Sequence, residues 1–301
     1  MKTNSLSAWI LAVRPYSLGN SVILVLIASA MAYMSGGFRP LPALLCLLFA
    51  LLMQCTANLV NDLWDYMKGA DQPDRLGPDR AFAKGYITLR AMKLGIAEFT
   101  LAAGITGLGI LLAVHDTLPH RGWELVAVGI ACLVFAYFYT AGPWPLAYHG
   151  MGDIAVILFF GLIPVGFTYY LQTGVWTTEV TLVAMACGLV IDTMLMVNNF
   201  RDREEDARCG KRTVVVVFGA GVGRWGYLLL GLGAVVLCLA LLAWNHPWAA
   251  LLPLLYGAAH TATWRKMVRI DHGDELNVCL GETARNILLF GALMTLGILL
   301  G

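Results

Sequence analysis

At the ends of two apolar segments an Asn precedes an Asp by four residues: Asn61 before Asp65, and Asn198 before Asp202, with Asp206 four further on. Four residues is about one helical turn, so each set lies on one face of a helix. Each set closes a long apolar segment. Further carboxylates follow, Asp71, Asp74 and Asp79 after the first and Glu204 and Glu205 after the second, mixed with Arg and Lys. Acidic groups at the edge of an apolar segment are costly to place and point to function. Their hard oxygen ligands suit Mg²⁺, which keeps waters and is shared between one or two carboxylates and substrate phosphates. Lys68, Arg75, Arg80, Lys84, Arg201 and Lys211 would repel a bare cation, yet they suit an anion bound with the metal. Together these residue types point to diphosphate. No P-loop is present, so a nucleotide is unsupported.

The elements that must position these residues are membrane helices. Of 301 residues, 59% are hydrophobic and 13% charged, well below the ~25% charged of a soluble domain. The apolar residues fall in long runs, so the fold class is an all-α integral membrane protein. Nine spans are expected, at about 17–34, 41–61, 92–114, 123–141, 153–172, 180–199, 220–244, 248–264 and 281–300, each able to cross a hydrocarbon core of about 30 Å. Ala28-Ser29-Ala30 imitates a signal-peptidase site, but Trp9-Ile10-Leu11 and Arg14-Pro15 upstream argue against a leader. The seven cysteines form no CxxC and read as small core residues.

With nine spans, eighteen of the twenty Lys and Arg residues fall on one side, leaving only Arg39 and Arg121 opposite. That asymmetry puts the N-terminus and both acidic clusters in the cytoplasm. The clusters end the second and sixth spans, which run in the same direction. Two four-helix halves plus a ninth helix is the simplest account. Residues 1–301 then form a single transmembrane domain with cytoplasmic motif loops at about 62–91 and 200–219. The net charge of +1 gives no reason to expect a nucleic-acid partner, and no protein partner is predicted.

A polar diphosphate at the mouth of a helical bundle, with an apolar tail among the helices, describes a lipid diphosphate in the bilayer. Loss of diphosphate from an allylic carbon leaves a cation that must be shielded from water and can be steadied by aromatic faces. Tyr137, Phe138, Tyr139, Phe159, Phe160, Tyr169 and Tyr170 are candidates for those faces, packing being the plainer reading of each.

Asn61-Asp62-x-x-Asp65 and Asn198-x-x-x-Asp202-x-x-x-Asp206 resemble the two Asp-rich motifs of the UbiA-type membrane prenyltransferases. The stretches Lys68-Gly69-Ala70-Asp71, Pro73-Asp74-Arg75, Tyr139-Thr140-Ala141-Gly142-Pro143, Gly150-Met151-Gly152-Asp153 and Gly210-Lys211-Arg212-Thr213 extend the likeness toward the naphthoate branch of menaquinone synthesis. The resemblance implies a nine-helix bundle open to lipid, in the inner (cytoplasmic) membrane. It implies transfer of a polyprenyl group from polyprenyl diphosphate to an aromatic acceptor, 1,4-dihydroxy-2-naphthoate, with release of diphosphate and CO₂ to give demethylmenaquinone. It assigns Asn61, Asp65, Asn198, Asp202 and Asp206 to Mg²⁺. Gly69 stands where the wider superfamily has a further carboxylate, so Asp71 is the displaced candidate.

Lys68, Arg75, Arg80, Lys84, Arg201 and Lys211 are then diphosphate candidates. Asp153, with Tyr139 or Tyr148, would position or deprotonate the acceptor, Lys68 acting beside them. Hydroxybenzoate and homogentisate acceptors occur on similar motifs and stay open. A cation-coupled transporter is the alternative from another class; acids gathered at one membrane face rather than at its midplane argue against it.

Overall fold

The computed structural model describes residues 1–72 and 75–301, with the backbone alone described at Pro119 and His120. It contains no strand among the described residues. In hydrocarbon every backbone polar group must be satisfied within its own segment, and helices do this. A short helix, α1 (Leu6–Val13), leads through Arg14 into α2 (Pro15–Met34), followed by α3 (Pro40–Met67) and α4 (Leu89–Val114). Then come α5 (Trp123–Phe138), α6 (Gly152–Ile157), a π-helical stretch Leu158–Phe167, and α7 (Thr168–Thr173), which together make one membrane-length rod from Gly152 to Thr173. Next are α8 (Thr178–Arg201), the short α9 (Arg203–Arg208) and α10 (Val214–Phe218), and α11 (Ala220–Leu239). The chain finishes with α12 (Pro247–Leu251), α13 (Pro253–Ile270) and α14 (Leu276–Leu299).

Local sequence explains where these helices start. Proline, which needs no N–H partner, occupies the first turn of α2, α3, α12 and α13. Thr88 and Thr177 cap α4 and α8 with their hydroxyls. Asn245, at φ 62°, turns the chain before Pro247 begins the next helix.

Among the described residues, seven helical segments are long and apolar enough to cross a membrane. The expected fourth span is a shorter apolar helix, Trp123–Phe138. The expected eighth is divided between α12 and α13, and the latter carries Arg265, Lys266 and Arg269 in its last turns. Leu101, Ile105, Leu108 and Leu112 form an exposed stripe along α4. That spacing is one helix face, turned outward to lipid in a multi-pass membrane protein.

α2 touches α3, α8, α14 and the rod that contains the π-helical stretch. α8 packs closely against that rod because both backbones lack side chains where they cross. A Cβ on Gly161 would stand 2.5 Å from Gly188 Cα and 2.7 Å from the Ala184 carbonyl oxygen. This is small-residue packing of the kind membrane helices use. The π stretch contains Pro164, which cannot donate to a helical ladder. Wide turns of this type occur at functional sites, and this one lines an apolar cavity.

Candidate active site

Asn61 and Asp65 occupy the last turns of α3, and Asn198 and Asp202 the end of α8. These ends meet around a polar chamber of about 1320 Å³. Asn61, Asp65, Asp71, Asn198, Asp202 and Asp206 all line it, interleaved with Arg75, Arg80 and Lys211.

Hydrogen bonds hold the first cluster in place. Asn61 Nδ2 donates to Asp65 Oδ2 at 2.6 Å, while Tyr148 Oη donates to Asp65 Oδ1 at 2.9 Å. The displaced Asp71 reaches the site because Gly69, at φ 82°, turns the chain back. The amides of Ala70 and Asp71 then bond to the Asp65 carbonyl. Only glycine adopts that backbone conformation without steric cost. Asp71 takes Arg75 at 3.1 Å and Arg80 at 3.0 Å. Burial opposes its charge, but Arg80, Arg75 and Arg14 hold its carboxyl below the usual range.

Arg75 also reaches Asp202 at 3.3 Å, tying the two clusters together. Arg201 grips Asp202 through Nε and Nη2 at 2.6 and 2.7 Å. Lys211 lies 3.4 Å from Asp206 Oδ1, leaving Asp206 Oδ2 buried without a partner. Burial, then Asp202 and Asp65, push the Asp206 carboxyl up to about 6 against the pull of Lys211. For Lys211 burial works against the ammonium, but Asp65 and Asp206 prevail and hold its proton more tightly than usual. Tyr148 is buried behind Asp65. The ammonium groups of Lys68 and Lys211 lie 4.7 and 5.6 Å from its ring centre.

The other candidates separate by place. Tyr139 and Asp153 line the chamber, and Asp153 Oδ1 is buried without a hydrogen-bond partner. Arg201, Lys68 and Tyr148 stand behind the chamber wall, where they hold Asp202, the Gly142 carbonyl and Asp65. Lys84 is not brought to the chamber and pairs with Asp79 at 3.3 Å. Asp74 lies outside the described residues. Asp62 accepts from the Phe82 amide and braces the loop rather than facing the chamber. Asp192 is 1% exposed, with neither carboxyl oxygen partnered.

Several wall residues were given no site role from sequence. Arg14 donates to Asn61 Oδ1 at 3.0 Å, and its Nη2 is buried and unpartnered. Burial, then the charge of Arg80, lower its pKa to about 10, so it remains a cation at neutral pH. Gln54 and Asn58 continue the line of Asn61 and Asp65 deeper into α3. The spacing 54, 58, 61, 65 is one helical face and was the available signal.

A second cavity, of about 980 Å³, lies among α2, α3, α4, α5 and the π-helical rod. Its wall is mainly apolar, with Phe49, Phe159 and Phe167 contributing. Gln54, Ala57, Phe135 and Phe160 belong to the walls of both cavities. The charged chamber thus adjoins an apolar one across a single shared boundary.

Among the described residues, no three acidic, His or Cys groups already form a metal cage. Instead most of the acids hold cations or donors of their own. Such a site suits a hard cation that arrives with an anion: the basic groups turn to the anion as the carboxylates turn to the metal. The oxygen-only donor set and the free Asp206 Oδ2 fit Mg²⁺.

The fold and the site define a membrane enzyme class. Residues 21–296 match the UbiA prenyltransferase family, to which this chain belongs. It is 34% identical to the 1,4-dihydroxy-2-naphthoate octaprenyltransferase of Haemophilus influenzae, covering 100% of this chain and 98% of that one. It is 35% identical to the Escherichia coli protein of the same name, covering 97% and 95%. A UbiA homolog from Aeropyrum pernix has the same fold, with a TM-score of 0.68, 15% identity and coverage of 93% and 97%. One from Archaeoglobus fulgidus, bound to GPP and Mg²⁺, gives a TM-score of 0.60, 17% identity and coverage of 98% and 100%.

Proposed function

We propose that this protein transfers a polyprenyl group from polyprenyl diphosphate to 1,4-dihydroxy-2-naphthoate, releasing diphosphate and CO₂ and giving demethylmenaquinone. The observation that carries the reaction is the shared boundary between a charged chamber and an apolar cavity. The full-length likeness to dihydroxynaphthoate octaprenyltransferases supports this acceptor over other phenols. We place nine crossings in the cytoplasmic membrane as one functional unit, with the chamber facing the cytoplasm, on the distribution of Lys and Arg.

Asn61, Asp65, Asp71, Asn198, Asp202 and Asp206 would hold Mg²⁺, which when bound neutralises the diphosphate and eases its departure. Arg14, Arg75, Arg80 and Lys211 bind the diphosphate oxygens and stabilise the charge that grows as the allylic C–O bond breaks. The bonding electron pair leaves with the diphosphate. The prenyl chain occupies the apolar cavity, whose walls keep water from the electron-poor carbon. Phe135 and Phe160 offer ring faces or edges at the boundary.

Asp153 and Tyr139 hold the acceptor at the mouth of α6. Asp153 receives the ring hydroxyl's proton as the ring carbon attacks, and returns it when CO₂ departs. The electron pair of the ring–carboxylate bond then restores the aromatic ring.

An acceptor panel tests the assignment. Purified protein with polyprenyl diphosphate and Mg²⁺ is expected to release diphosphate with 1,4-dihydroxy-2-naphthoate at a rate far above that with 4-hydroxybenzoate or homogentisate. Faster turnover of either alternative would reassign the acceptor.

A further inference from the structure

Gln54 is 8% exposed and stands on the boundary that the two cavities share. Which way its amide faces follows from its neighbours. Asn58 approaches the Val13 carbonyl at 2.8 Å, and a carbonyl only accepts, so the Asn58 group there is Nδ2. The opposite atom, Asn58 Oδ1, then lies 3.2 Å from Gln54, which must present its Nε2 to it. Ser17 Oγ, 3.4 Å away, completes that side. Gln54 Oε1 is left buried, with no hydrogen-bond donor in reach. Buried acceptors are ordinarily partnered, and an exception needs a reason.

The position supplies one. Gln54 is two helical turns below Asn61 on the same face of α3, about 10 Å deeper at 1.5 Å per residue. A substrate with its diphosphate beside Asn61 and Asp65 and its tail in the apolar cavity must cross this boundary with the head end of its prenyl chain. Phe135 and Phe160 stand there too, their ring centres 6.3 Å apart and edge to face.

We propose that Gln54 is a catalytic residue whose Oε1 faces the allylic carbon and stabilises the positive charge left there when the C–O bond breaks. No bond to Gln54 forms. An oriented carbonyl dipole with no competing donor serves a developing cation well, because it needs no reorganisation as the charge appears. Asn58 and Ser17 fix that orientation. The inference rests on the polyprenyl-transfer reading above.

The test compares Gln54→Leu, Gln54→Glu and wild type in detergent, with Mg²⁺, a polyprenyl diphosphate and dihydroxynaphthoate. Wild-type turnover comes first, since its absence would overturn the polyprenyl-transfer reading rather than the role of Gln54. Gln54→Leu is expected to lower kcat roughly tenfold to a hundredfold, with the KM for polyprenyl diphosphate little changed. Gln54→Glu, which keeps an oxygen in place, is expected to recover part of that loss. Diphosphate release without acceptor should fall in Gln54→Leu by the same factor as transfer. Wild-type kcat in folded Gln54→Leu would overturn the proposal. So would a loss confined to the acceptor's KM, with acceptor-free release intact, because Gln54 would then serve the acceptor. If Gln54→Leu does not fold, Gln54→Met provides the apolar comparison.

Discussion

Tyr148 donates its phenol to Asp65 across 83 residues of sequence, at 2.9 Å. It connects the loop after α5 to the end of α3. Lys68 and Lys211 lie against the same ring, so one side chain orients a carboxylate from the first cluster and a cation beside the second. Groups that orient a metal ligand from behind typically set affinity by ten- to a hundredfold. Tyr148→Phe is therefore expected to raise the Mg²⁺ concentration for half-maximal activity by about tenfold or more. A metal titration of the activity checks this, and an unchanged midpoint would remove Tyr148 from that role.

Arg14 places a buried, partly unpartnered guanidinium in the chamber wall. Hydrogen bonds to charged groups contribute about 1.5–3 kcal/mol. Arg14→Met is expected to raise the KM for polyprenyl diphosphate roughly tenfold or more, leaving the acceptor's KM near wild type. Initial rates at varied concentrations of each substrate separate the two.

Gly161 and Gly188 let α8 and the π-helical rod meet backbone to backbone. Gly161→Val drives a side chain into main-chain atoms, which cannot yield as a flexible side chain would. The expected loss is at least about 1–3 kcal/mol, read as a lower melting temperature in detergent. Gly104→Ala, at a position with open space around it, is the matched control and is expected to be near neutral.

Asp271 binds Arg224 through Nη2 at 2.5 Å and Nε at 3.2 Å, and lies beside Arg203. The Arg224 hydrogen bond, followed by nearby positive charge, lowers its pKa below the usual carboxylate value. A depressed carboxylate stabilises the fold above its unfolded pKa and loses that contribution as pH falls through the folded value. Because the pair is partly exposed, the effect is at most about 1 kcal/mol. Thermal melts should place wild type slightly above Asp271→Asn at pH 7, with the gap closing below about pH 4.

The sequence made the helical class, most of the spans and the two acidic clusters legible, because long apolar runs and one-turn spacings are local signals. The structure gathers Asn61, Asp65, Asp71, Asn198, Asp202 and Asp206 around one chamber. That Asp71 joins them depends on the left-handed turn at Gly69, which no spacing rule for a straight helix contains. Arg14 received no site role because its partner Asn61 is 47 residues away. Gln54 and Asn58 were hidden within a long, mainly apolar span, and their meaning needs the cavity on the far side. The π-helical stretch leaves no mark in hydropathy, since a shift of hydrogen-bond partner changes no residue type.

Product mass after incubation with Mg²⁺, a polyprenyl diphosphate of known length and 1,4-dihydroxy-2-naphthoate tests the proposed reaction most directly. The expected product has gained one prenyl group and lost CO₂, and is absent without metal and in Asp202→Ala. A prenylated product that retains the carboxylate, or equal yield from folded Asp202→Ala, would contradict it.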